Sequence, residues 1–391
     1  MKLSIPKNVV WLGFVSLFND IASEMIYPIV PIFLTSVLGA PMAVVGLIEG
    51  IAEATASILK VFSGWFSDLI GQRKPLAVFG YSFSTISKLL LATAVLWPMV
   101  LLARLTDRFG KGVRVAARDA LIADSTPPGD HGKVFGFHRS MDTIGAIAGP
   151  LLAVWLMAVY SNNYRLIFII SFIPALLGVL VLQFFVSEVK KEKSLPTVKL
   201  RLAWDNFGWQ YYMFLIVSVV FSLGNSSDVF LILRSQNLGM TAMLVILAYV
   251  VYNVFYALFS YPAGWLADKI GFKKVLFTGF LIFAVVYAGF GLANQANYIW
   301  FLFAAYGFYI AFTEGVSKAY IAVLAPKEKI GTAIGLYYTA TGFSVLFASV
   351  VAGWLWSAFG AAYAFYYGSF MAIIACGLFL ILSYWPGRKL N

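Results

Sequence analysis

Charged residues, cysteine and histidine are scarce in this sequence, and nucleotide-binding motifs are missing from it. Asp, Glu, Lys and Arg make up 12% of the 391 residues, whereas a typical soluble domain has about 25%. One cysteine, Cys376, excludes a disulfide framework or a cysteine metal site, and two histidines disfavour a histidine metal site. There is no Gly-x-x-x-x-Gly-Lys-Ser/Thr loop, dinucleotide fingerprint or Ser–His–Asp set. The sequence therefore predicts no cofactor, no metal and no enzyme activity.

The chain is instead rich in apolar side chains. Hydrophobic residues form 61% of it and aromatic residues 17%, which is more apolar surface than a soluble protein covers with polar groups. A lipid bilayer accepts such a surface, and a helix crosses its hydrocarbon layer with about 20 residues. The apolar runs predict an all-α membrane protein with twelve spans, near residues 8–35, 43–66, 76–97, 98–123, 134–159, 165–186, 209–233, 241–265, 275–293, 298–322, 332–357 and 361–385.

Basic residues are distributed unevenly between the predicted loops. If the N-terminus is cytoplasmic, seventeen of the 28 Lys and Arg residues fall in inside segments and two fall in outside loops. Cytoplasmic loops of membrane proteins are enriched in Lys and Arg. The pattern predicts a multi-pass protein of the inner (plasma) membrane with both termini in the cytoplasm. It also explains the net charge of +11 without a nucleic-acid partner.

A charge-rich stretch divides the predicted spans six and six. We predict an N-terminal six-helix bundle at 1–186, a cytoplasmic linker at 187–208 and a C-terminal six-helix bundle at 209–391. Residues 64–74 and 264–274 are identical at six of eleven positions, and each stretch follows the second span of its half in a predicted short inside loop. Such a repeat indicates duplication, and paired six-helix repeats are a common plan of transporters.

The repeated pattern Gly-x-x-x-Asp-x-x-Gly-x-Arg/Lys-Lys resembles the signature loop of the major facilitator superfamily, which joins helices 2 and 3 and, more weakly, helices 8 and 9. Residues 145–150, Gly-Ala-Ile-Ala-Gly-Pro, are similar to the fifth-helix element of that family's proton-coupled antiporters, and Arg104 stands where these often carry a buried arginine. The resemblance implies twelve helices in two pseudo-symmetric bundles. It also implies a monomeric secondary transporter that moves a small solute by alternating access.

The resemblance further implies a conformational latch at the inside face. Asp68 can accept hydrogen bonds at the N-terminus of the next helix, where the helix dipole favours an anion. Arg73 can pair with Asp119 or Asp124 in one conformation and separate from it in the other. The alternative is a plain loop of basic residues that orients the chain in the membrane. The residues of the predicted latch are Gly64, Asp68, Gly71, Arg73, Asp119, Asp124, Gly264, Asp268 and Gly271.

The fourth predicted span is unusual because it carries seven charged residues, five of them cations. At about 100° per residue they fit within a sector of about 140°, so one face of the helix is charged. Charges inside a membrane are costly and face protein or water. The sequence therefore predicts a helix that lines a cavity. The charged positions are Arg104, Asp107, Arg108, Lys111, Arg114, Arg118 and Asp119.

Acids on the first span can meet these cations. Asp20 and Glu24 share one face of that helix. Three interpretations fit: a buried salt-bridge network, proton coupling by the acids, and binding of an anionic substrate by the cations. We favour the last two together, with Asp20 and Glu24 as the proton carriers. The other residues of the predicted substrate and charge network are Tyr27, Arg104, Arg108, Lys111, Arg114, Arg118, Arg139, Asp142, Asn225, Asp228, Glu314 and Lys318.

These observations predict a secondary transporter that exports a small organic solute in exchange for protons. The expected partners are that solute, which could be anionic, together with protons and the lipid bilayer. The first alternative is a carrier of an organic anion, such as a carboxylate metabolite or a siderophore-type metal chelator, working in either direction. An intramembrane enzyme or a receptor is the alternative from a different class.

Overall fold

The computed structural model describes residues 5–70, 72–127, 130–160, 163–189, 207–326 and 329–384, with the backbone alone at 61, 64–70, 131–132, 330 and 382–384. Within these ranges the secondary structure is helical, and a π-helical turn, Phe33–Val37, follows α2. The α-helices are α1 (Lys7–Ile26), α2 (Ile29–Ile32), α3 (Met42–Ile70), α4 (Lys74–Ala92), α5 (Trp97–Asp124), α6 (His131–Val159), α7 (Tyr164–Phe185), α8 (Trp209–Gly224), α9 (Val229–Asn237), α10 (Ala242–Ile270), α11 (Phe272–Leu292), α12 (Tyr298–Leu324), α13 (Ile330–Phe359) and α14 (Ala361–Tyr384).

Eleven helical segments of the described chain are long and apolar enough to cross a membrane. The chain is thus a multi-pass α-helical membrane protein. α5 has a sufficient length of 28 residues, but its eight charged residues set it apart from those eleven. The prediction of twelve spans therefore depends on α5, whose contacts are described below.

The first and seventh predicted spans are interrupted, although the apolar runs predicted continuous helices. α1 ends at Ile26, and Pro28, which has no backbone N–H to continue the helix, precedes α2. α8 ends at Gly224, and α9 begins at Val229. The four residues between them, 225–228, are Asn, Ser, Ser and Asp, whose short polar side chains compete for backbone hydrogen bonds. The two interruptions occupy equivalent positions, about 200 residues apart, as the two signature patterns do.

The helices form two compact units. Unit 1 comprises residues 1–40 and 55–201, and unit 2 comprises residues 41–54 and 202–391. In unit 1, α1 packs on α6 and α7, while α4 packs on α5 and α7. In unit 2, α8 packs on α13 and α14, while α11 packs on α12 and α14. The same four pairs of corresponding helices occur in both units, as a duplicated six-helix ancestor would give.

Glycines of α6 allow it to approach α1 closely. A Cβ atom added to Gly149 would lie 2.6 Å from the carbonyl oxygen of Ile21 and 2.9 Å from the nitrogen of Met25. A Cβ atom added to Gly145 would lie 2.8 Å from the Cβ atom of Asp20. These distances are too short for van der Waals contact, so a larger side chain would push the two helices apart.

Replacing Gly149 with alanine is expected to destabilise unit 1 by about 1–3 kcal/mol, the usual cost of overpacking. Gly136→Ala is the matched control on the same helix, because nothing lies within 4 Å of a Cβ atom added there. The control should melt at or slightly above the wild-type temperature, since alanine favours helix over glycine. Thermal unfolding of both variants in detergent measures the difference, and equal melting temperatures would show that α1 and α6 tolerate a wider spacing.

Candidate functional site: a polar ladder between α1 and α5

Cations of α5 contact uncharged polar side chains of α1, and of Tyr27 directly after it, along a row of contacts. Residue numbers rise along α1 while those of their partners fall along α5, so the two helices run antiparallel at this surface. We call this row the α1–α5 ladder. Its contacts are Nη1 of Arg118 to Oγ of Ser16 (3.0 Å), Nη1 of Arg114 to Oδ1 of Asn19 (2.7 Å), and the guanidinium of Arg104 to the ring centre of Tyr27 (5.7 Å).

Lys88 of α4 adds a buried ion pair to the ladder that the sequence analysis did not predict. Its side chain is fully buried, with Nζ 2.9 Å from Oδ1 of Asp107 and 3.3 Å from Oγ of Ser23. A lone lysine in an apolar span is itself the signal for such a pair, because a charge in the membrane needs a partner. Ser23 places this pair on the face of α1 that also carries the ladder contacts.

The two predicted proton carriers lie where α1 meets α6. Asp20 is partly buried, accepts a hydrogen bond from Nδ2 of Asn19 (3.1 Å), and faces Gly145 through its Cβ atom. Glu24 is one turn further along and faces Gly149 in the same way. The antiporter-like glycine element of α6 thus packs against the part of α1 that carries both acids.

The charges around Asp20 come from α1, α5 and α6. Its carboxylate interacts electrostatically with Asp142, Arg114, Glu24 and Arg118. Asp142 lies 3.6 Å from Nδ1 of His138, so its partner on α6 is the histidine one turn earlier. The other predicted residue of this helix, Arg139, is exposed. The acids of α1 and α6 therefore belong to one group of interacting charges with the α5 cations.

Four polar atoms of this group are fully buried and have no hydrogen-bond partner among the described residues. A buried polar atom that makes no hydrogen bond costs about 1–3 kcal/mol, so proteins seldom keep several together without a reason. They come from α4, α5 and α6. The atoms are Oη of Tyr81, Nε of Arg114, Nε2 of His138 and Oδ1 of Asp142.

Of the other predicted cations of α5, Arg108 is buried and Lys111 is partly buried. Both take part in interactions with other groups. The predicted acid at the end of α5, Asp119, binds the neighbouring Arg118, whose Nη2 atom is 2.8 Å from Oδ1 of Asp119. Most of the charged face of α5 is thus engaged with protein groups.

In unit 2 the predicted residues fall into two separate groups. Asn225 and Asp228 lie in the interruption between α8 and α9. Glu314 and Lys318 form a half-exposed ion pair of 3.5 Å on α12, as their i, i+4 spacing suggested. Oη of Tyr256 also donates a hydrogen bond of 2.6 Å to Glu314.

At the predicted latch, the structure joins Arg73 to Asp124. Nε of Arg73 is 3.5 Å from Oδ2 of Asp124, and the two side chains are only 10% and 9% exposed. Asp124 is one of the two partners that the sequence predicted, whereas Asp119 pairs with its neighbour on α5. The contact exists, and its opening and closing during transport stays a prediction.

Most of the signature pattern is helical, so its placement in a loop was wrong for both copies. α3 continues to Ile70 and α10 to Ile270, and the connections that follow are short. Gly271 has φ of +96°, a left-handed conformation in which glycine is favoured. Asp268 is exposed and Gly264 is partly buried. Gly71 lies outside the described residues, and Gly64 and Asp68 are described by their backbone alone.

Glu188, at the start of the predicted linker, caps the N-terminus of α4, and the capping predicted for Asp68 falls on a side chain outside the described residues. Its carboxylate accepts hydrogen bonds from the backbone nitrogen atoms of Arg73 (3.1 Å) and Lys74 (2.8 Å) at the beginning of α4. Nζ of Lys74 binds the carbonyl oxygen of Gln183 on α7 (2.7 Å). The chain after α7 is thereby attached to the end of α4 that follows the signature pattern.

Glu188→Ala is expected to destabilise the protein by about 1 kcal/mol, because α4 loses an anion at its N-terminus. Glu188→Gln should recover part of this loss, since its amide oxygen still accepts a hydrogen bond but carries no charge. Thermal unfolding in detergent would rank the three proteins. An alanine variant as stable as the wild type would show that solvent replaces the cap.

Known proteins similar to this chain are membrane transporters. The family model for the Major Facilitator Superfamily matches residues 12–233 and 213–389. An uncharacterized MFS-type transporter of Methanocaldococcus jannaschii is 38% identical over 383 residues, which cover 96% of this chain and 95% of that protein. The cis,cis-muconate transport protein of Acinetobacter baylyi is 24% identical, with 79% of this chain and 78% of that protein covered.

Solved transporter structures share the fold. A POT family transporter in complex with 5-aminolevulinic acid has a TM-score of 0.82 at 12% identity. The match covers 100% of this chain and 98% of that chain. The human organic anion transporter MFSD10 has a TM-score of 0.70 at 16% identity, and the match covers 95% of this chain and 99% of that chain. Together with the family model and the 38% identical relative, this shows that the chain belongs to the major facilitator superfamily of secondary transporters and is not an enzyme.

Proposed function

We propose that this chain exports a small organic solute across the inner membrane in exchange for protons. The observation that carries the proposal is the α1–α5 ladder, in which guanidinium groups inside a membrane protein contact uncharged groups of α1. Charged residues in spans usually mark ion or substrate pathways. Asp20 and Glu24 lie on the same helix as the ladder contacts, so a change in their charge would act directly on it.

Asp20 is the proposed proton carrier, and Glu24 is the second candidate. When Asp20 is ionised, it attracts the neighbouring Arg114 and Arg118. A proton on Asp20 removes that negative charge, to which a hydrogen-bond donor of the solute can bind when the acid is ionised. Because proton and solute then compete for the same carboxylate, binding of one would promote release of the other.

The buried polar atoms beside the ladder are the proposed contact points of the solute or of water. Oη of Tyr81 and Nε of Arg114 can donate hydrogen bonds, and Oδ1 of Asp142 can accept one. Arg104, Arg108 and Lys111 extend the cationic face further along α5. A site of this composition suits a polar organic molecule better than a purely apolar one.

The topology and the latch belong to the same proposal. α5 is the proposed twelfth span, since its charged side chains reach groups of α1 and α4, which shields them from lipid. Both termini and the linker at 187–208 would be cytoplasmic, and the six-helix bundles at 1–186 and 209–391 would alternate access in a monomer. The Arg73–Asp124 contact would break and re-form in that cycle.

An organic-anion carrier is the second candidate. It is favoured by the excess of cations on α5, five against three acids. The names of two similar proteins agree with it, since one is a cis,cis-muconate transport protein and the other an organic anion transporter. The planar guanidinium group of arginine suits carboxylates, which it binds through two parallel hydrogen bonds.

The test is a solute panel on everted membrane vesicles with an imposed acid-inside proton gradient. Collapse of the gradient is followed after adding anionic metabolites and chelators in one arm and lipophilic cations in the other. Vesicles without the protein and vesicles with Arg104→Ala are run in parallel. Collapse that depends on the protein supports proton-coupled export, and collapse by anions alone that is lost in Arg104→Ala supports the organic-anion carrier. No response in either arm would contradict proton-coupled export.

A further inference from the structure

The interruption between α8 and α9 is held by side chains from four helices of unit 2. Each of its four residues contacts a different partner, so specific side-chain contacts stabilise the interruption. Oγ of Ser227 also donates a hydrogen bond of 3.4 Å to Oε2 of Glu49 on α3, and Glu49 is buried. The other contacts are Nδ2 of Asn225 to Oη of Tyr309 (3.0 Å), Oγ of Ser226 to Oη of Tyr287 (3.4 Å), the nitrogen of Ser227 to Oγ of Ser349 (3.1 Å), and Oη of Tyr306 to Oδ1 of Asp228 (2.6 Å).

Four tyrosine rings form a cluster next to Asp228. The ring centre of Tyr306 is 5.4 Å from that of Tyr252, 5.1 Å from that of Tyr309 and 6.4 Å from that of Tyr287. All four rings are buried, whereas Asp228 is partly exposed. The carboxylate thus lies at the edge of the tyrosine cluster, where a ligand can reach it.

Capping of α9 does not account for the carboxylate. Asp228 stands at the N-cap position of α9, but its side chain makes no hydrogen bond to the first turn of that helix. Oγ of Ser227 accepts the bond from the backbone nitrogen of Val229 instead (3.4 Å). The side chain of Asp228 is held by Tyr306, which orients it towards the tyrosine cluster and away from the helix end.

We propose that Asp228 and the surrounding tyrosines bind an organic ammonium group of the transported solute. The inference rests on the proposed transport function, for which it names a chemical group of the solute. The carboxylate supplies the opposite charge, and aromatic rings attract a cation within about 6 Å of their centres. Tyrosine hydroxyl oxygens and the amide oxygen of Asn225 are further acceptors for N–H donors. An inorganic cation would use the oxygen atoms and gain less from the rings.

The test measures binding of phenethylammonium to the full-length protein in detergent by titration calorimetry. The matched probes are 2-phenylethanol, which is neutral, and 3-phenylpropionate, which is an anion. Asp228→Asn removes the charge and keeps the shape, and Tyr306→Phe removes the hydroxyl that orients the carboxylate. Asp130→Asn makes the same chemical change outside the spans. Each variant is first checked for wild-type elution on size exclusion. A competition series with sodium chloride tests the inorganic cation.

We expect phenethylammonium to bind at least about tenfold more tightly than either matched probe, a difference of ~1.4 kcal/mol. Asp228→Asn should lose that preference, Tyr306→Phe should weaken it several-fold, and Asp130→Asn should leave it unchanged. Wild-type affinity in Asp228→Asn, or displacement of the probe by sodium at equal concentration, would overturn the inference. Binding needs no gradient, so it can succeed when the vesicle test fails. Conversely, proton-linked transport together with unchanged binding in Asp228→Asn would overturn this site alone.

Discussion

Replacing Lys88 with methionine is expected to destabilise the protein by about 3–5 kcal/mol, because Asp107 would lose its buried partner. Lys88 is fully buried, and its Nζ atom lies 2.9 Å from the Asp107 carboxylate. Removing one member of such a pair leaves a charge in a low-dielectric environment with fewer groups to compensate it. Lys318→Met is the matched control, since that lysine is half-exposed in its pair with Glu314 and should contribute about 0–1 kcal/mol.

The double variant Lys88→Met/Asp107→Leu separates loss of a partner from loss of the pair. A buried ion pair replaced by apolar side chains of similar size is often neutral or stabilising, so the double variant should melt close to the wild type. Thermal unfolding in detergent gives the ranking. A double variant as unstable as Lys88→Met would mean that Lys88 acts through Ser23 or another group of α1 and that the ion pair is secondary.

Asp20→Asn is expected to abolish proton-driven transport while leaving the fold and solute exchange intact. Asparagine has nearly the same shape, so the close contact of residue 20 with Gly145 and the hydrogen bond from Asn19 can both persist. What is lost is the ability to alternate between a charged and a neutral state beside Arg114 and Arg118. The variant should still exchange labelled for unlabelled solute across the membrane, because that half-cycle needs no net proton movement.

Proton-driven uptake and counterflow of the same solute are measured in everted vesicles for wild type and Asp20→Asn. Asp130→Asn, outside the spans, is the control for the chemical change and should behave as wild type in both assays. Full pH-driven transport by Asp20→Asn would remove Asp20 as the coupling acid and transfer that role to Glu24. Loss of both counterflow and proton-driven transport in Asp20→Asn would indicate a structural role for Asp20 instead.

The sequence predicted the features that depend on local composition. Apolar runs gave the spans because each helix meets lipid along its own length. The charged face of α5 followed from helical periodicity, and the Arg73–Asp124 contact followed from a motif with a fixed place in the fold. The ion pair of Glu314 and Lys318 is likewise local, since four residues separate its members.

Features that depend on contacts between distant helices were missed. Ser16, Asn19 and Ser23 of α1 are uncharged, so nothing in the sequence marked them as partners of α4 and α5 cations. The ion pair of Lys88 was missed because its partner, Asp107, is in the next helix. The interruption of the seventh span did have a local signal, the run Gly-Asn-Ser-Ser-Asp, but flanking apolar residues outweighed it in a hydropathy-based assignment.

Proton release on solute binding tests the central claim most directly. The purified protein is placed in weakly buffered detergent solution with a pH dye, and the solute identified in the vesicle panel is added. If protons and solute compete for Asp20 and Glu24 beside the α1–α5 ladder, binding will release protons from the wild type and none from the Asp20→Asn, Glu24→Gln double variant, which should still bind the solute through the α5 cations. Calorimetric binding to the wild type without proton release would contradict proton-coupled antiport through these acids.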